Sequence, residues 1–104
     1  MARQSGCDVV IAFGGGSAID AAKAIAFLAL NDVALEDHFA PKEVASPAVP
    51  VVALPTTCGT GSELTRYSLI TDAANRRKRV LMGLPILPRT AILDASVLDA
   101  IPKR

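Results

Sequence analysis

The stretch DVVIAFGGGSAIDAAK at residues 8–23 decides the fold of this chain. Its first part, residues 8–13, is a short apolar run rich in β-branched side chains, and three glycines end it. Such a run is typical of a strand buried on both faces of a parallel sheet, and we interpret it as a central strand. From Ser17 to about Leu30 there is no Gly or Pro, and Ser17 can cap a helix with Asp20 completing a weak capping box. A strand, a glycine-rich turn and a helix are therefore predicted in that order.

A second strand pattern follows this helix. Residues 51–54 are apolar and end at Pro55, which predicts a strand-helix-strand unit with a long crossover. The crossover, residues 31–50, is charged and contains three prolines, and we expect a short helical turn within residues 33–39. The later half of the helix, residues 24–30, is apolar on all sides and should be covered by other elements as well as by the sheet.

The last third of the chain predicts a β-ribbon and one more strand. Residues 65–71 alternate polar and apolar side chains, and residues 78–82 are their predicted hairpin partner across the polar turn at 72–77. Residues 90–93 predict another strand, and residues 95–101 have the pattern of the first turns of a helix. The predicted fold class is α/β.

Composition excludes several classes of partner. The 104 residues are 51% hydrophobic, and 11 basic against 10 acidic side chains give a net charge of +1, too little for nucleic acid or an anionic membrane surface. Cys7 and Cys58 match no metal or disulfide spacing. No amino-terminal apolar leader is visible, and the longest apolar stretch is far below the roughly 20 residues that span a bilayer. A soluble, cytoplasmic protein is expected.

The glycine-rich turn, Gly14-Gly-Gly-Ser17-x-x-Asp20-x-x-Lys23, is the first candidate site. A helix N-terminus offers unpaired N–H groups and the positive end of the helix dipole, and glycines let a phosphate approach the backbone closely. A cofactor diphosphate would suit this turn. The alternative is that three glycines only make a tight turn between strand and helix, and a glycine cluster alone does not decide between the two.

The loop PTTCGTGSELT at residues 55–65 is the second candidate site. It follows the next strand, so it should lie at the same carboxyl edge of the sheet, where ligands of open α/β sheets bind. Its hydroxyl groups can donate to or accept from phosphate, ribose or a carboxamide, and Gly59 and Gly61 permit unusual backbone angles. The alternative is an ordinary polar turn before a helix that starts at Glu63.

Together, the two motifs in this order resemble the iron-containing (group III) alcohol dehydrogenase family. The resemblance continues through residues 70–72, 76–79 and 92–95, and covers residues 5–102. It implies that residues 1–104 are a partial dinucleotide-binding domain, with a partial Rossmann-like parallel sheet, flanking helices and a small β-ribbon. It further implies an oxidoreductase that transfers a hydride between NAD or NADP and a small alcohol or aldehyde with a divalent metal.

The resemblance also implies which residues bind the cofactor. In that family the glycine-rich turn receives the diphosphate, which corresponds to Gly15, Gly16 and Ser17, with Asp20 near the ribose or the nicotinamide. The residues that correspond to the rest of the cofactor cleft are Thr56, Thr57, Thr60, Thr65, Lys78 and Leu98. Without the resemblance, Lys78 would be interpreted as one member of a solvated basic run.

The metal site of the family has no counterpart in this sequence. The family binds Fe2+ or Zn2+ through one Asp and three His of an all-helical domain that follows this region, whereas this chain has one histidine, His38. His38 is expected at the surface, and Asp94 and Asp99 correspond to positions before the metal-binding Asp. We therefore assign no catalytic or metal-binding residue, and we expect that the helical domain is absent.

Two functional hypotheses follow. In the first, the chain is part of a homo-oligomeric dehydrogenase, supplies its cofactor-binding loops and is inactive alone. In the second, it is a stand-alone nucleotide-binding module without catalysis. A non-functional remnant is a third alternative, against which the intact glycine and threonine loops argue.

Overall fold

The computed structural model describes residues 6–57, 59, 61–72, 76–94 and 96 of the chain. The strands and the helix, in chain order, are β1 (Val10–Gly14), α1 (Gly16–Leu30), β2 (Val51–Pro55), β3 (Tyr67–Asp72), β4 (Arg77–Met82) and β5 (Thr90–Ala91). Three short 3-10 turns lie between them, at Leu35–His38, Ser62–Leu64 and Leu84–Ile86.

Strands β1, β2 and β5 form a parallel three-stranded sheet in the order β1-β2-β5. Val10 pairs with Val51 at the start of the first two strands, and Gly14 pairs with Pro55 at their end. The predicted strand-helix-strand unit with its long crossover is therefore confirmed. Strand β5 pairs with β2 but covers only Thr90–Ala91, two residues fewer than the sequence predicted.

Strand β1 differs from the prediction in two respects. It lies at an edge of the sheet, and β2 takes the central position among the described strands. One face of β1 carries buried Ala12, whereas Ile11 and Phe13 on the other face are 66% and 63% exposed. The prediction of burial on both faces was wrong for the described part of the chain, because α1 covers one face and no described element covers the other.

The start of α1 also differs from the prediction. Gly15 is the N-cap residue in an extended conformation, and helical geometry begins at Gly16. Within the described part of the chain, no side chain caps the helix. Ser17 lies inside the first turn, so it is not the cap, and Asp20 does not complete a capping box. The carboxylate of Asp20 instead accepts a hydrogen bond from the Leu69 N–H at 3.0 Å, which ties it to β3.

Helix α1 lies between two hydrophobic cores, which confirms that its apolar half needs more than the sheet. The sheet core joins the helix to β1 and β2 and consists of Ala12, Ile19, Ala22, Ala26, Ala29, Val49, Val51 and Ala53. The ribbon core joins it to β4 and the crossover and consists of Ala24, Phe27, Phe39, Val44, Leu81 and Ile86. The helix is not covered on every side, since Ile25 and Leu30 stay exposed.

Strands β3 and β4 form the predicted antiparallel ribbon, with Tyr67 opposite Met82 and Asp72 opposite Arg77. Gly83, directly after the ribbon, packs so closely on the crossover that a Cβ atom there would lie 2.4 Å from the Val44 carbonyl oxygen. The Val44 N–H donates to the Met82 carbonyl at 2.7 Å. These contacts hold the crossover on the ribbon. Apart from Ser96, the helix predicted at 95–101 lies outside the described residues.

Candidate functional site

The two candidate loops meet at the carboxyl edge of the sheet, as expected for parallel strands. The Thr56 N–H donates to the Gly14 carbonyl at 2.9 Å, so the threonine loop leaves β2 beside the glycine-rich turn. A Cβ atom at Gly15 would lie 3.4 Å from the Thr57 Oγ1 atom. The hydroxyl of Thr57 therefore packs directly on the glycine-rich turn.

The glycine-rich turn presents the open N-terminus of α1. The first hydrogen bond of the helix runs from the Ile19 N–H to the Gly15 carbonyl at 3.1 Å, so the N–H groups of Gly16, Ser17 and Ala18 precede it. None of the side chains that the structure describes caps them. Unpaired N–H groups and the helix dipole favour an anionic ligand at this place.

An open cleft of about 680 Å3 lies between the first turns of α1 and the ribbon; we refer to it as the ribbon cleft. Five predicted cofactor residues line it: Gly16, Ser17, Asp20, Thr65 and Lys78. Residues from separate parts of the sequence thus share one cavity of the size that small-molecule ligands occupy.

The other predicted residues lie elsewhere. Gly15, Thr56 and Thr57 are at the glycine-rich turn, beside the ribbon cleft, but are not among the residues that line it. Thr60 and Leu98 are outside the described residues.

Half of the residues in the cleft wall were not predicted from the sequence. The further lining residues are Ser62, Tyr67, Leu69, Thr71 and Val80. Alternate residues of β3 share one face of the ribbon, and the pairing of Leu69 with Val80 and of Thr71 with Lys78 adds β4 to that face. Strand periodicity combined with the hairpin register would have found this wall.

Lys23 is the residue whose structural role sequence analysis missed entirely. It is 0% exposed, and its Nζ donates to the Thr65 carbonyl at 2.9 Å, the Thr65 Oγ1 at 3.2 Å and the Tyr67 carbonyl at 2.7 Å. An ammonium group has three N–H donors and no acceptor, so these three oxygens match it completely. A lone lysine in the helix that carries the apolar stretch, three residues after Asp20, is the signal that could have indicated it.

Burial lowers the pKa of Lys23 below its usual 10.5, and the negative charges of Asp20 and Glu63 oppose this effect only in part. Removing an ammonium from water disfavours its charged form, whereas a nearby carboxylate favours it. The Lys23 ammonium is therefore a buried charge whose presence depends on its oxygen partners.

Asp20 faces the ribbon cleft beside Lys23. One carboxylate oxygen, Oδ2, accepts the Leu69 N–H, while Oδ1 lies 3.7 Å from the Lys23 Nζ, beyond hydrogen-bond distance. Oδ1 is buried and has no hydrogen-bond partner among the described residues. A buried acceptor without a donor is costly in a protein interior, so a ligand that supplies a donor would relieve it.

His38 lies away from the cleft, in the 3-10 turn of the crossover. Its Nδ1 is 3.0 Å from the Ala34 carbonyl, and its ring packs at 5.4 Å from the Phe27 ring, between centroids. Within the described part of the chain, no group of three or more His, Cys, Asp or Glu side chains could hold a metal ion. Among the same residues, none of the helices combines the length and hydropathy needed to cross a membrane.

The family model for iron-containing alcohol dehydrogenases matches residues 1–95. Over 100 residues the chain is 47% identical to the probable alcohol dehydrogenase EutG of Escherichia coli K12, covering 96% of the chain and 25% of that protein. It is 42% identical to the NAD-dependent methanol dehydrogenase of Bacillus methanolicus, over 96% of the chain and 26% of that enzyme.

The fold agrees with the same group of enzymes. The crystal structure of sulfoacetaldehyde reductase from Bifidobacterium kashiwanohense in complex with NAD+ superposes with a TM-score of 0.88 at 37% identity, covering 96% of this chain and 27% of that one. This agreement confirms the predicted partial Rossmann-like fold. The chain spans about a quarter of the length of the curated relatives that it matches.

Proposed function

Because this chain belongs to the iron-containing alcohol dehydrogenase family, we propose that residues 1–104 are a partial dinucleotide-binding domain that supplies the cofactor loops of a dehydrogenase. The observation that carries the proposal is the ribbon cleft, where the open N-terminus of α1 meets Asp20, Thr65 and Lys78. Anion-binding N–H groups at one end and hydrogen-bonding side chains along the wall suit a dinucleotide.

In this proposal the glycine-rich turn binds the diphosphate of NAD or NADP through Gly15, Gly16 and Ser17. Asp20 lies near the ribose or the nicotinamide. The side chains proposed for the remaining contacts are those of Thr56, Thr57, Thr60, Thr65, Lys78 and Leu98. When bound, the nicotinamide ring supplies the hydride acceptor or donor, and the chain binds and orients it.

The activity of the whole protein is proposed from its relatives. The names of the relatives, an alcohol dehydrogenase and a methanol dehydrogenase, suggest a small alcohol or aldehyde as the substrate. A homo-oligomer in the cytoplasm is part of the same proposal. The described residues of this chain do not fit the Fe2+ or Zn2+ of the family, because they offer no group of three ligands. We therefore assign no step of the reaction to a metal held here.

Two lysine variants test the cofactor proposal. NAD affinity of the full chain is measured by calorimetry, with Lys78→Ala in the cleft and Lys42→Ala on the exposed crossover as a charge-matched control. Loss of one hydrogen bond or ion pair to the cofactor should weaken binding by about tenfold for Lys78→Ala. Lys42→Ala should leave the affinity unchanged. Equal affinities of both variants would contradict the proposed site.

An activity assay distinguishes the dehydrogenase hypothesis from that of a stand-alone nucleotide-binding module. The chain is assayed for NAD reduction with ethanol and Fe2+ or Zn2+, first alone and then within a longer protein that carries it. Turnover by the longer protein supports the dehydrogenase. NAD binding without turnover in both would favour the binding module.

A further inference from the structure

We propose that Lys23 is a positioning residue of the ribbon cleft, whose ammonium keeps the Thr65 hydroxyl available as a hydrogen-bond donor and Asp20 Oδ1 available as an acceptor for the ligand. The inference rests on the proposed function, since the ligand is taken to be a nicotinamide dinucleotide. Lys23 itself is fully buried and is not among the residues that line the cleft. It acts through its two neighbours.

The hydrogen bond from Lys23 determines whether the Thr65 hydroxyl donates to or accepts from a ligand. An ammonium can only donate, so the Thr65 Oγ1 at 3.2 Å must accept. The hydroxyl hydrogen of Thr65 is then left for another acceptor. Because Thr65 lines the ribbon cleft, a ligand oxygen can take that hydrogen.

The capacity of Asp20 to accept a further hydrogen bond also depends on the Lys23 Nζ. All three N–H groups of Lys23 are directed to oxygens of Thr65 and Tyr67, so none remains for Asp20 Oδ1 at 3.7 Å. This oxygen forms an ion pair with Lys23 but has no hydrogen-bond partner among the described residues, so it keeps its capacity to accept a hydrogen bond. Thr65 Oγ1 and the Asp20 carboxylate thus flank one buried charge, and both residues line the ribbon cleft.

A purely structural role for Lys23 can be separated from this one, because a second bond ties the same elements together. The Ser68 Oγ donates to the Asp20 carbonyl at 2.6 Å and is fully buried, but Ser68 does not line the cleft. Loss of the Ser68 hydroxyl weakens the attachment of the ribbon to α1 without altering the polarity of Thr65 or of the Asp20 carboxylate. Ser68→Ala is therefore the matched control.

The test compares the affinities of the full chain for NAD and for ADP, which shares the diphosphate but lacks the nicotinamide riboside. Lys23→Met should weaken NAD binding by about tenfold or more and ADP binding by less than about twofold. Ser68→Ala should leave the ratio of the two affinities unchanged. Equal weakening of NAD and ADP by Lys23→Met, or no weakening of either, would overturn the inference while the proposed function stands. Binding of neither nucleotide by the unsubstituted chain would overturn both.

A measurement on the unsubstituted chain covers the case in which Lys23→Met does not fold. The side-chain ammonium signal of Lys23 in proton-nitrogen spectra should exchange slowly with water, whereas that of exposed Lys42 should not. NAD should shift the Lys23 signal, and ADP should leave it in place. Exchange as fast as that of Lys42, or equal responses to NAD and ADP, would overturn the inference.

Discussion

At the scale of single residues, Lys23 shows how a buried charge is retained in a small domain. Burial of an ammonium is costly, and the cost is offset here by three oxygen acceptors and by the carboxylate of Asp20 at 3.7 Å. Two of the acceptors are backbone carbonyls, that of Tyr67 at the start of β3 and that of Thr65 two residues before it. The Lys23 ammonium of α1 thus fixes the position of the backbone at Thr65 and Tyr67.

The titration of Lys23 is the prediction at this scale. Because burial lowers its pKa, the folded chain should release this proton before the unfolded chain does, with a midpoint below 10.5. The contribution of this group to the free energy of unfolding should then increase with pH in the interval between the folded pKa and 10.5. The Cε chemical shift of Lys23, followed by NMR against pH, measures the midpoint. A midpoint at or above 10.5 would contradict the burial seen here.

At the scale of elements, α1 positions the cleft because it belongs to two cores. The sheet core fixes the helix on β1 and β2, and the ribbon core fixes it against β4. Phe27, 1% exposed, is the largest fully buried apolar side chain of the ribbon core. Because both cores include this helix, they fix the spacing between the N-terminus of α1 and the ribbon wall of the cleft.

Truncation of Phe27 tests this arrangement. Phe27→Ala removes a buried aromatic ring and should lower the free energy of unfolding by about 3 kcal/mol or more. Ile25→Ala, on the same helix but 47% exposed, is the control and should cost less than about 1 kcal/mol. Urea unfolding followed by circular dichroism measures both. Similar losses for the two variants would show that the ribbon core does not hold α1.

At the scale of the whole molecule, the face of the sheet opposite α1 is apolar, and no described element covers it. Ile11 and Phe13 are on this face of β1, and Ile92 and Leu93 are exposed just beyond β5. Exposed apolar surface and free strand edges favour association. The chain spans only about a quarter of the length of the curated relative EutG.

We therefore expect the chain of 104 residues to associate in solution. Mass spectrometry first confirms that the sample contains only this chain. The double variant Ile11→Thr and Phe13→Thr should lower the weight-average mass in light scattering, because it removes two exposed apolar side chains from one face. Val33→Thr removes one exposed apolar side chain from the crossover and should not lower it. A monomeric unsubstituted chain, or equal masses for all variants, would be the contrary result.

Sequence alone determined the order of the elements, the two loops at the carboxyl edge and the ribbon, because strand alternation, helix periodicity and glycine turns are local signals. The family followed from the resemblance of the two loop motifs in their order. Only the tertiary structure decided which face of β1 is open, and that the helix starts at Gly16 rather than after a Ser17 cap. It also decided the meeting of Lys23 with Thr65 and Tyr67, which are 42 and 44 residues away in the sequence. Such contacts depend on how α1 and the ribbon pack through their shared core, and local patterns carry no information about that packing.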